Sequence, residues 1–406
     1  MTKLSLAELI TDETWLNEPR LFRGFSDRAT WLLDRLHHAC EDFGQGKTLP
    51  KLRVFVDNGN RTDLSVALAR SPIAGQGLHE WISAAIGCSK YCLAFNGVTS
   101  WDEPLAAYVR DAFVTPLLSK MGRPIRGFDA YIFAGRYDLT PFGIHKDSEP
   151  SLLFHLGPAL KSAFVWDQSI FREAVQDREL NEFDLENWED RADHFELAPG
   201  DLLYLPAGQP HVMKSPEFSV TLGIVPNNCD TKGLLVEVSH EIADLRSTKQ
   251  TGRVHYSQNG AVEALRALAC ETGSFLEESI EALNNLTLRL ESNGYLVPPP
   301  AELKHLPAPQ DDRTRYRLVP GYPLFASETG GCLIIRARGQ VCSLRGTPGM
   351  AEWASQLNKG HAFSRKDAAT ALARDCDASA ADAIIDMLLR IRALEAVTVL
   401  AVVDGA

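Results

Sequence analysis

Residues 200–211 read GDLLYLPAGQPH: a turn, a short apolar strand, a second turn and a histidine. Gly200 with Asp201 turns the chain into the strand, Pro206 and Gly208 shape its exit, and His211 is then aimed inward at whatever the neighbouring strands enclose. Around this stretch, residues 126–226 give strand after strand: RGFDAYIFA, SLLFHL, SAFVWD, HFELA, DLLYLPA and FSVTLGIV. Turns containing Gly, Pro or Asp separate many of them. Repeated short strands with such punctuation predict a β-sandwich or barrel.

The flanks read differently. Residues 1–50 are expected to be helical: Ser5 and Glu8 fit a capping box, and Trp31, Leu32, Leu33 and Leu36 recur at helical spacing. LRVFVD and YCLAF are strand-like additions at the front of the barrel, which is expected to span 51–230. Helices are expected over 75–86 and over 103–120, the latter opened by Asp102 and Pro104. Beyond Pro226 the spacing turns helical across 231–300 (Leu234, Val238, Ile242, Leu245, then Leu265, Leu268, Leu276, Ile280, Leu283, Leu286). Pro298, Pro299, Pro300, Pro307 and Pro309 predict a linker. In 305–406, the strands CLIIRAR and QVCSL precede helices near 349–358, 364–375 and 378–392 and a last strand AVTVLAVV, the pattern of a winged-helix-like module. The fold class expected is therefore α+β, a barrel with flanking helices.

With 45% hydrophobic and 23% charged residues, the 406-residue chain can fill real cores, which excludes collagen-like, low-complexity and disordered classes. Its net charge of −12 argues against bulk nucleic-acid binding and leaves room for a basic partner. That acidity is uneven: residues 1–304 hold 29 basic and 42 acidic side chains, residues 305–406 hold 12 and 11. The eight cysteines are scattered, and only Cys88 and Cys92 are close, so buried free thiols are expected rather than a zinc site. The N-terminus lacks the apolar stretch of a signal peptide, and no apolar run reaches the ~18 residues of a membrane span. A reduced, cytoplasmic protein is expected.

His145 and Asp147 form an H-x-D pair, but chance alone gives about 1.4 His-x-acid pairs in a chain of this composition. A second pair, His194 and Glu196, does occur, on the strand leading into the Gly200 turn, where a barrel-exterior position is expected. What singles out His145 and Asp147 is His211. On an extended segment the two side chains share a face, and with His211 they make two imidazoles and one carboxylate. That is the facial triad of non-haem Fe(II) oxygenases, with three coordination positions left open.

The stretch at 200–211 matches the second motif of the cupin superfamily, G-x5-P-x-G-x2-H-x3-N, with the final Asn replaced by Ser215. Residues 126–226 resemble the JmjC-type, double-stranded β-helix 2-oxoglutarate oxygenases, and the order of segments resembles the bacterial ribosomal-protein hydroxylases of that family. The resemblance implies Fe(II) held by His145, Asp147 and His211, and 2-oxoglutarate as cosubstrate, split to succinate and CO2 as a substrate C–H bond is oxidised. The family pattern of a Gly, a turn, a basic residue and an aromatic strand falls on Gly157, Lys161, Phe164 and Trp166. Lys161 is then the cation for the far carboxylate of 2-oxoglutarate. Tyr131, Tyr137 and Thr140 are candidates to share that carboxylate, Ser219 and Thr221 weaker ones, and His155 is read as a satisfied core histidine. A peptide or protein side chain is the first expectation for the substrate, a free or carrier-bound amino acid the second. The helices of 231–300 serve a homodimer interface or pack on the barrel. A non-catalytic sensor joined to a DNA reader is the reading from another class, and the near-neutral C-terminal module argues against it.

Overall fold

In a computed structural model of the chain, the strands expected between residues 126 and 226 are present and close on one another. The structure describes residues 6–10, 17–41, 51–71, 73, 75–169, 188–247, 275–303, 306, 314–329, 332–345, 349–372 and 378–397. The strands are β1 (Arg20–Phe22), β2 (Lys51–Val56), β3 (Gly59–Asn60), β4 (Tyr91–Asn96), β5 (Phe128–Tyr137), β6 (Ser151–Pro158), β7 (Lys161–Val165), β8 (Asp193–Leu197), β9 (Leu202–Leu205), β10 (His211–Pro226) and β11 (Leu296–Val297). The main sheet runs β1-β9-β6-β10-β5-β4-β2-β3, with β11 added in parallel beside β5.

Strand β10 belongs to two sheets. Its first residues, His211–Lys214, pair with β7, which pairs in turn with β8. Its later residues, from Ser219 to Pro226, lie between β5 and β6. The register breaks between Ser215 and Ser219, and there the strand passes from one sheet to the other.

The two-residue period of a strand then sorts the side chains. On β5, Phe128, Ala130, Ile132 and Ala134 join a core that also holds Trp81, Phe113 and Leu36 from the covering helices. Asp129, Tyr131, Phe133 and Tyr137 face the opposite way and line a cavity. On β6, Leu152, Phe154 and Leu156 go to the core, Ser151 and Leu153 to the cavity. On β10, Val220, Leu222 and Ile224 are core, while Thr221 and Val225 line the cavity.

Helices Ala29–Glu41, Leu78–Ile86, Glu103–Val109 and Thr115–Met121 supply that covering layer. Asp102 caps the third of them, its carboxylate accepting from the Leu105 amide at 2.8 Å. A turn of π-helix, Arg110–Val114, joins it to the fourth.

Some elements depart from the sequence reading. Residues 20–22, inside the stretch expected to be helical, are strand β1, with Leu21 opposite Leu203 of β9. Three residues carry no measurable periodicity, and β9 supplies the hydrogen-bonding template. Helix Thr62–Arg70 was not anticipated either. Ser5, Leu265, Leu268, Pro307, Pro309 and most of AVTVLAVV lie outside the described residues.

After the barrel come helices Thr231–Ser247 and Phe275–Glu291, which pack on each other. The C-terminal part has a core of its own around Tyr316, Trp353, Phe363 and Leu388. Strand β12 (Arg315–Leu318) pairs with the last strand. Strands β13 (Phe325–Thr329), β14 (Cys332–Ala337) and β15 (Gln340–Arg345) form a meander, and β16 (Leu394–Val397) is β12's partner. Helices Gly349–Leu357, Arg365–Leu372 and Ala378–Arg390 complete it. Buried Arg338 ties it to the barrel side, reaching Glu103 and Asn293 at 3.0 Å. Among the described residues Cys40, Cys88, Cys92, Cys229 and Cys342 are free thiols; only Cys40 and Cys92 are buried, so the expectation of burial holds for two of the five. No helix of the described residues is long and apolar enough to cross a membrane.

Gly223 on β10 stands opposite Tyr131 on β5, and a Cβ there would overlap the Tyr131 ring. Gly223→Ala should therefore push the ring into the cavity and destabilise the fold by about 1–3 kcal/mol. A urea melt measures the loss; an unchanged midpoint would mean the ring is not held by this contact.

Candidate functional site

His145 sits in the turn-rich connection after β5 rather than on a regular strand. It is nevertheless held as if in a sheet: its amide donates to the His211 carbonyl at 3.1 Å, and the His211 amide donates back at 3.0 Å. This brings the two imidazoles together, centroids 4.3 Å apart and tilted 51° to one another. Asp147 is fixed from the second motif, since the Gly208 amide donates to the Asp147 carbonyl at 2.7 Å. Gly208 has φ +72°, which is why a glycine belongs there. The two motifs thus hold each other.

The side chains converge. Asp147 Oδ1 lies 3.8 Å from His145 Nε2, and Oδ2 lies 3.7 Å from His211 Nε2. One ligating atom from each residue falls within 4.8 Å of the others. The far ring nitrogens are occupied: His145 Nδ1 donates to the Gly143 carbonyl at 3.0 Å, His211 Nδ1 to the Gln209 carbonyl at 2.9 Å. With the proton on Nδ1, each Nε2 presents a lone pair to the carboxylate. Burial, with His145 alongside, pushes the His211 imidazole down to about 4, so it is neutral at physiological pH. Three electron-pair donors turned on one point form an arrangement that a divalent cation satisfies, and the donor set suits iron. The residues present fit the metal.

His145, Asp147 and His211 line a cavity of about 540 Å³. So do Lys161, Tyr131, Tyr137, Thr140 and Thr221. Lys161 is 1% exposed. Its Nζ donates to Thr221 Oγ1 at 2.9 Å and lies 5.6 Å from the centre of the Tyr137 ring. No carboxylate pairs with it among the described residues, and burial pushes its ammonium from the ordinary 10.5 down to about 8. The Tyr137 hydroxyl is buried without a hydrogen-bond partner. Tyr131 bonds Ser151, and Thr140 receives the Met213 amide at 3.5 Å. Ser219 is buried against Ser215 and away from the cavity lining.

His194 stacks on Phe164 at 4.6 Å on the exposed side of β8, and Glu196 is exposed beside it. Neither reaches the cavity. His155 is fully buried with both ring nitrogens engaged.

The sequence reading missed a further acid in the cavity lining. Asp129 accepts from the Gly97 amide at 3.0 Å and from Asn96 Nδ2 at 3.1 Å, while Arg53 donates to Asn96 Oδ1 at 3.1 Å. Burial raises the Asp129 carboxyl against the opposing charge of Lys51, and no Lys or Arg among the described residues forms an ion pair with it. The signal was available: Asp129 shares the odd-numbered face of β5 with Tyr131 and Tyr137.

The X-ray structure of Escherichia coli ycfD aligns over 96% of this chain and 97% of its own, with a TM-score of 0.51 and 16% identity. A structure of YcfD described as a ribosomal oxygenase gives 0.50 at 15% identity, over 97% and 98% of the two chains. The chain has the fold of that bacterial ribosomal oxygenase. The alignments span nearly the whole of both chains. A YcfD complex with cobalt and 2-oxoglutarate aligns with a TM-score of 0.48 at 15% identity, over 96% and 97%. No family model matches the sequence, and no curated protein does.

Proposed function

We propose that this chain is an Fe(II)- and 2-oxoglutarate-dependent oxygenase that hydroxylates a C–H bond of a basic peptide or protein side chain. The observation that carries this reading is one cavity with two needs: a cation among His145, Asp147 and His211, and an anion beside the buried ammonium of Lys161. A dicarboxylate that also ligates the metal meets both. Bound iron and 2-oxoglutarate supply the oxygen activation. His145, Asp147 and His211 would hold the metal on one face and leave the cavity side open. Lys161 would neutralise the far carboxylate, and the hydroxyls of Tyr137, Tyr131 and Thr140, which line the same cavity, would orient it. Met213 and Phe133 line the same space and limit water.

For the substrate, Asp129 is a fixed carboxylate in the lining of that cavity, in no ion pair among the described residues and suited to an ammonium or guanidinium. The fold shared with a ribosomal oxygenase and the acidity of residues 1–304 support a basic protein over a free or carrier-bound amino acid. We also read the C-terminal module as winged-helix-like, from its meander and three helices, and the helical pair as a homodimer interface, from the exposed Leu235, Val236, Leu276 and Ile280.

Succinate formation with Fe(II) tests the reading, comparing basic ribosomal peptides, neutral peptides of equal length and free amino acids. Basic peptides should give the fastest turnover. Asp129→Asn should lower kcat/KM for them by about tenfold or more, while 2-oxoglutarate decarboxylation without substrate stays unchanged. Equal rates on basic and neutral peptides would overturn the substrate assignment.

A further inference from the structure

The register of β10 against β6 slips by one residue between the pairs Val220–Gly157 and Thr221–His155. The slip brings Thr221 directly across from His155. The backbone of His155 is held by the Gly200 turn: its amide donates to the Asp201 carbonyl at 2.9 Å, and its carbonyl accepts from the Gly200 amide at 2.8 Å. Its ring has one geometry to satisfy.

We propose that His155 is a positioning residue for Lys161: by accepting the hydrogen bond of the Thr221 hydroxyl, it leaves Thr221 able only to accept from Lys161, and so keeps that side chain an ammonium aimed along the cavity. Proton accounting forces the order. His155 Nε2 lies 2.7 Å from the Ala159 carbonyl, which can only accept, so Nε2 carries the hydrogen. Burial, reinforced by the charge of Lys161, pushes this imidazole down to about 4, so the ring is neutral and Nδ1 bears a lone pair. Nδ1 is 3.2 Å from Thr221 Oγ1 and must therefore accept. The single Thr221 proton is spent there, and the 2.9 Å contact with Lys161 runs from Nζ to Oγ1.

A neutral amine at Nζ needs a donor to its lone pair, and Thr221 has none to give. The other groups facing Lys161 make no hydrogen bond to Nζ: the Cys92 thiol from β4, kept protonated by burial, is only a weak S–H donor, and Tyr137 from β5 presents its ring face. Asp201 acts on His155 through its charge rather than on Lys161. Two N–H bonds of the ammonium remain for an anion. The role of that anion as cosubstrate rests on the proposed function; the hydrogen-bond order does not.

The test measures the Lys161 pKa in the metal-free protein, from the 13Cε shift of labelled lysine, and the KM for 2-oxoglutarate in succinate formation. His155→Phe removes the acceptor and frees the Thr221 proton. It should lower the Lys161 pKa by about one unit and raise KM about tenfold at pH 7.5. His155→Gln, whose oxygen can accept from Thr221 while its amide donates to Ala159, should stay within about threefold of the native KM. In a Thr221→Val background, His155→Phe should add nothing, because its effect passes through Thr221. An unmoved Lys161 pKa in His155→Phe, or effects of the two substitutions that multiply, overturns the proposal. Should His155→Phe fail to fold, the pKa in Thr221→Val decides, a fall supporting the link and no change refuting it. A pKa that moves as expected in a protein that forms no succinate keeps the hydrogen-bond order and refutes the oxygenase reading.

Discussion

His211→Ala is expected to remove divalent-metal binding while leaving a folded barrel. The two hydrogen bonds joining residue 211 to His145 are backbone to backbone and survive the substitution. What disappears is one of three electron-pair donors, together with the Nδ1 bond to Gln209. Loss of even an outer contact to a ligand costs metal affinity about 10–100-fold, and loss of a ligand itself costs more. Titration with Fe(II) or Co(II) by calorimetry reads this directly. A second readout is thermal unfolding. Metal at about 100 times its Kd should stabilise the native protein by about 2.7 kcal/mol and the variant not at all. A metal-induced shift that persists in His211→Ala would place the ion elsewhere.

Much of this site was legible because its turn, strand and histidine are written in fixed spacings. Gly200, Pro206, Gly208 and His211 announce a turn, a strand exit and an inward histidine. The structure adds why the spacing matters: Gly208 holds Asp147, and residue 211 pairs with residue 145. H-x-D alone was silent, since His194 and Glu196 form an equally good pair that ends on the outside of β8. Asp129 was missed for a different reason. One carboxylate on a strand looks like any surface acid until the register shows which face of β5 meets β10 and β4. The role of His155 rests on a one-residue slip between two strands, and no periodicity encodes that. Strand β1 is similar: three residues take their conformation from a partner about 180 positions away, as Arg20 does from Tyr204.

Lys161→Met should move stability and cosubstrate binding in opposite directions. In the metal-free protein Lys161 is a buried cation with a hydroxyl and a ring face for company and no carboxylate. Its folded pKa is about 8 against an ordinary 10.5, so between those values the unfolded chain binds more protons. Stability of the metal-free protein should therefore rise with pH across that window, the penalty being full below about 8 and gone above about 10.5. Methionine fills similar space without the charge. Lys161→Met should be more stable than the native chain at pH 7, by up to roughly 3 kcal/mol. It should also lose the rise in stability between pH 8 and 10.5. Binding runs the other way. 2-Oxoglutarate should bind Lys161→Met about 100-fold more weakly or worse, because its far carboxylate is then buried unpaired. In the native protein that affinity should fall as pH rises past about 8, where the free protein's Lys161 loses its proton. Paired melts at pH 7 and pH 9.5, with and without 2-oxoglutarate, separate the two effects. A variant that is less stable at pH 7 yet binds 2-oxoglutarate normally would mean that Lys161 serves the fold rather than the cosubstrate.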